Sequence, residues 1–77
     1  MSPSLSLLLH HYRHILAEAV DKTPTPGAPS CPPGEELRWA ERGEGEGWLT
    51  REGAMAVRRL ARRVRFYEQR ATSLEER

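Results

Sequence analysis

Between Val57 and Arg70 the chain carries six arginines and one acid, yet the formal net charge of all 77 residues is only +1. Arg58, Arg59, Arg62, Arg63 and Arg65 fall within eight residues with no acid among them, and Phe66 follows directly. A guanidinium is a rigid fork of donors that keeps its charge in every setting. Clustered beside an aromatic ring, such forks grip phosphates while the ring stacks on bases. They dock equally well on an acidic protein surface, where arginine and aromatic side chains make the strongest contacts. The plainer reading is a solvated helix face. Codon usage in a GC-rich genome accounts for arginine over lysine, of which Lys22 is the single example, but not for the clustering. Repulsion among the five costs free energy and favours a compensating partner. The acidic middle of the chain, with Glu41, Glu44 and Glu46, is an internal candidate for that part.

Other reactive side chains are sparse. His10 and His14 stand four residues apart, a spacing that puts two imidazoles on one helix face, but a zinc site needs further ligands. Cys31 lies across a proline-rich stretch and has no base placed beside it, so no metal is expected and Cys31 reads as an exposed thiol. There is no phosphate loop, no pair of carboxylates in an apolar setting and too little chain for a deep pocket. The expectation is a protein that is not an enzyme and needs no cofactor.

The elements that would carry these residues can be read from periodicity. Residues 2–20 read as a helix, with Ser2 as cap, Pro3 at the first helical position, and an apolar face of Leu5, Leu8, Leu9, Tyr12, Leu16 and Ala19. Residues 21–35 read as a linker, because five of the ten residues from Pro24 to Pro33 are proline and proline favours extended backbone. Residues 36–50 read as a short β-hairpin: Leu37 and Trp39 alternate with charged neighbours, Trp48 and Thr50 do the same, and "GEGEG" forms the loop. The rival is a short helix from Glu35 to Arg42, ended by Gly43. Trp39 and Trp48 are expected as core anchors of this element. Residues 51–73 read as a long basic amphipathic helix, capped by Thr50. Val57, Leu60, Val64, Tyr67, Ala71 and Leu74 form its apolar seam at heptad spacing. The expected fold is mainly α, a small α+β domain, in which Val57, Leu60, Val64 and Tyr67 pack against Leu8 and Tyr12.

"WLTREG" leading into a long helix resembles the end of the wing in winged-helix regulators, with Leu49, Thr50 and Gly53 as the matching residues. The resemblance implies a wing-then-helix geometry. It carries no base-reading residue across, because one helix and a proline linker leave no room for a separate recognition pair.

A chain of this size forms a single small domain, buries only about 60% of its unfolded surface, and gains from a partner. No stretch approaches the roughly 20 apolar residues of a membrane span, and "LSLLL" is too short for a secretory core, so a cytoplasmic protein is expected. The functional expectation is a small non-catalytic regulator that binds a larger host complex through Arg58, Arg59, Arg62, Arg63, Arg65 and Phe66. The transcription machinery, such as RNA polymerase, is one candidate, and a phage-encoded modulator fits the size. The alternatives are a direct nucleic-acid binder and an oligomerisation or scaffold module, for which a homodimer is the simplest form.

Overall fold

The computed structural model describes residues 4–75, with side chains through Ser73. Three helices follow in order: α1 Leu5–Lys22, α2 Glu36–Glu46 and α3 Arg51–Glu75. Both α1 and α2 pack on α3. The radius of gyration is 13.7 Å, against about 11.5 Å for a compact chain of this length. The excess comes from α3, whose 25 residues span roughly 37 Å at 1.5 Å per residue and set the 43 Å long axis.

Ser4 caps α1 by accepting the Leu7 N–H at 3.1 Å. The expected cap Ser2, the expected first residue Pro3 and the side chain of Leu74 lie outside the described residues. Leu16 is the deepest residue of α1, while Leu9, Tyr12, Ala19 and Val20 pack around the core and Leu8 is half-buried beside them.

The segment from Glu36 to Glu46 is helical, which overturns the hairpin expected over 36–50; no strand occurs among the described residues. Trp39, Ala40 and Gly43 are its buried residues, at offsets of one and four that belong to a helix rather than a strand. Gly43 is the reason the pattern is hard to read. The ring of Trp48 and the side chain of Leu49 lie where its Cβ would be, within 2.6 to 2.8 Å. Glycine is here an apolar contact surface, although by composition it reads as a loop. Gly47, at φ +84°, ends the helix in the left-handed conformation, its N–H reaching the Gly43 carbonyl at 2.9 Å, a stop that glycine adopts without a Cβ clash. The wing implied by the winged-helix resemblance is likewise absent: Leu49 and Thr50 form the connection between two helices. Thr50 Oγ1 accepts the Gly53 N–H at 2.9 Å and so caps α3.

The core is Leu16, Trp39, Ala40, Leu49, Ala54, Val57, Ala61 and Val64. Along α3 the buried seam is thus Ala54, Val57, Ala61 and Val64, with Leu60 and Tyr67 half-buried at its edge. The two alanines let α1 and α2 approach closely. Val57 is wholly inaccessible, and burying such a side chain contributes roughly 1.5–3 kcal/mol. The proline segment does not stand off as a spacer. The Trp39 indole donates to the Pro29 carbonyl at 2.9 Å, and the Thr25 N–H donates to the Trp48 carbonyl at 2.9 Å, which straps the segment to α2 and its C-terminal turn.

Candidate protein-docking face on α3

Once one side of α3 is committed to the core, the opposite side is determined by the helical period. Met55, Arg59, Arg62 and Phe66 recur at spacings of four, three and four, a second seam roughly opposite the buried one. Arg58 and Arg63 flank it, and these six side chains line one shallow surface depression. Met55 and Phe66 are 45% and 51% exposed. They bracket the arginines at a separation of about 16 Å, eleven residues along the axis.

The arginines of this face differ in what they touch. Arg58 is 3.4 Å from Glu44 of α2, a half-buried pair that ties the two helices. Arg63 lies over the Tyr12 ring, 5.4 Å from its centroid, and Tyr12 in turn stacks on Tyr67 at 5.5 Å; this cation–π contact fixes the junction of α1 with α3. Arg70 lies over Phe66 at 5.6 Å. Arg59 and Arg62 have neither kind of contact: among the described residues no carboxylate lies within 4 Å of them and no ring lies beneath them. Arg65, expected with the others, is on a different side. It lines the groove between α1, the proline segment and α3, together with Leu16, Val64 and Glu68. Its neighbour Glu68 is engaged by Arg13 of α1 at 2.7 Å.

The structure therefore brings Arg58, Arg59, Arg62, Arg63 and Phe66 together and leaves Arg65 out. Met55 belongs to the face and escapes sequence reading, because "GAMAV" reads as a uniformly apolar start to the helix; its spacing of eleven to Phe66 is the signal that would have found it. Of the acidic middle, Glu44 turns back on the arginines, whereas Glu46 is bonded to Arg42 at 2.7 Å and no ion partner lies within 4 Å of Glu41 among the described residues. Hydrogen bonds from the Arg42 guanidinium and the Trp48 indole hold the Glu46 carboxyl below its usual value.

The remaining reactive groups stay apart. His14 Nε2 is 3.1 Å from Glu18, His10 and His11 are exposed, and among the described residues no three His, Cys, Asp or Glu side chains converge as a metal site would require. Cys31 is half-buried rather than exposed. Burial, with Glu36 and Glu35 nearby, pushes its thiol up to about 11, far from the thiolate that a nucleophile needs. No helix among the described residues is long and apolar enough to cross a membrane.

No model of a known protein family matches this chain, and neither a curated protein nor a solved structure does. Its functional reading rests on the α3 face.

Proposed function

We propose that this chain is a small non-catalytic regulatory protein that works in the cytoplasm by docking the outer face of α3 on an acidic protein surface of a larger complex. Transcription machinery such as RNA polymerase offers surfaces of that kind, and a phage-encoded modulator of a host complex suits a domain this small. The observation that carries the reading is the pair Arg59 and Arg62, charged and without partners among the described residues, set between the exposed Met55 and Phe66. Four arginines on one helix face repel one another at three- and four-residue spacings. An acidic surface relieves that repulsion and gives the two apolar side chains a place to be buried. The same charge speaks against self-association through this face, since a second copy would set arginine against arginine.

The test is affinity capture with the double substitution Arg59→Glu and Arg62→Glu. The wild-type chain is expected to retain a multisubunit complex after nuclease treatment, and the variant to lose it with an unchanged circular dichroism spectrum. Retention that disappears with nuclease would assign the face to nucleic acid instead. Equal retention by both chains would overturn the docking role of α3.

A further inference from the structure

We infer that the occupant of the α3 face is an acidic amphipathic helix of the partner, lying along α3, with apolar residues seated at Met55 and Phe66 and carboxylates on Arg59 and Arg62. This rests on the docking reading above and specifies its partner.

Three features select a helix. The face is a straight seam on a rod, about 16 Å from Met55 to Phe66, not a cup for a loop or a pocket for a small molecule. Its four-three-four spacing is the spacing at which two helices interlock side chains. The depression lined by Met55, Arg58, Arg59, Arg62, Arg63 and Phe66 supplies the gaps between rows into which a second helix fits. Because four-three-four reads the same in both directions, a parallel or an antiparallel helix meets the same residues.

The chemistry of the ends selects protein over nucleic acid. A thioether at one end and a phenyl ring at the other contribute by losing water to an apolar side chain, and Met55 offers a base no stacking plane. Carboxylates also border the patch on its α2 flank and at its N-terminal end. Glu44 sits against Arg58, and Glu52, three residues before Met55, continues the same row toward the helix N-terminus. With a net charge of +1, the molecule exerts little long-range pull on a polyanion. A phosphate backbone running past the Met55 end or along the Arg58 flank would meet negative charge, whereas a short helix with acids at its middle meets arginine there and apolar surface at its ends.

The probe is an acetylated alanine- and glutamine-based helical peptide with leucine, glutamate, glutamate and leucine at spacings of four, three and four. It is titrated by fluorescence anisotropy into the full-length protein in low salt. Binding is expected, weakened about tenfold when both glutamates become glutamine and weakened similarly when both leucines become alanine. Arg59→Glu with Arg62→Glu is expected to abolish binding of the glutamate peptide and to accept a peptide with lysine at the same two positions. Arg59→Gln with Arg62→Gln, which retains helix propensity without introducing new pairs, should bind the glutamate peptide about tenfold more weakly than wild type does. An undetectable interaction, a glutamine peptide that binds as well as the glutamate one, or a single-stranded or duplex oligonucleotide that binds more tightly than the peptide would each overturn the inference. If the peptide fails while Arg59→Glu with Arg62→Glu still loses the captured complex, docking through α3 stands and the helical partner falls. If neither depends on the arginines, both fall.

Discussion

Gly43 shows how much a single missing side chain does in a core this small. Trp48 and Leu49 occupy the space of its Cβ, and Trp48 packs in turn on Trp39 with ring centroids 5.0 Å apart. Gly43→Ala gains helix propensity of up to about 1 kcal/mol but forces a tryptophan ring aside. Overpacking of that kind costs typically 1–3 kcal/mol. The variant is expected to be less stable than wild type in urea titration. Glu46 makes a second prediction. Because its carboxyl is held below the usual value of 4.5, its ionised form contributes stability that is present above that pH and lost as pH falls through the lower folded value. Melting temperatures measured from pH 6 to 3 should drop more steeply for wild type than for Glu46→Gln below about pH 4.5.

Among the helices, α3 serves two surfaces with opposed demands. Its inner seam of Ala54, Val57, Ala61 and Val64 favours a packed helix, and its outer row of arginines works against one. Arg62 is four residues from Arg58 and three from Arg59, and like-charge pairs at these spacings cost a few tenths of a kcal/mol each. Arg62→Glu turns both into attractions. The single variant is expected to melt at a higher temperature than wild type while binding its acidic partner more weakly. A variant both less stable and unimpaired in binding would mean that the arginines are not strained in the free protein. Stability and docking moving in opposite directions is the signature of a surface kept for recognition.

Taken whole, the molecule depends on α1 and α2 to keep α3 helical. A peptide of residues 51–75 has no core to cover its inner seam and keeps all its arginine repulsion, and isolated helices of this kind are marginal in water. It should be largely unfolded by circular dichroism at low salt and gain helix as salt screens the arginines, while the full chain is helical in both conditions. A fully helical peptide would show that α1, α2 and the proline strap are dispensable for the rod. The strap, joined through Trp39–Pro29 and Thr25–Trp48, reaches α2 and its C-terminal turn, and so ties the segment after α1 to α2.

Local periodicity determined α1 and α3, because the three- and four-residue spacings of Leu9, Tyr12, Leu16 and Ala19 and of Val57, Leu60 and Val64 leave a helix as the way to bury each set on one side. Charge spacing along a regular helix likewise placed Arg58, Arg59, Arg62, Arg63 and Phe66 on neighbouring rows. Only the tertiary structure decided α2, where the residue that completes the buried face is Gly43, a glycine with no side chain to register as apolar. Only it separated the arginines into those engaged at home and those left free, because Glu44 and Tyr12 reach α3 from helices distant in sequence. Which charge is neutralised depends on which elements pack together, and composition and spacing along one helix do not contain that.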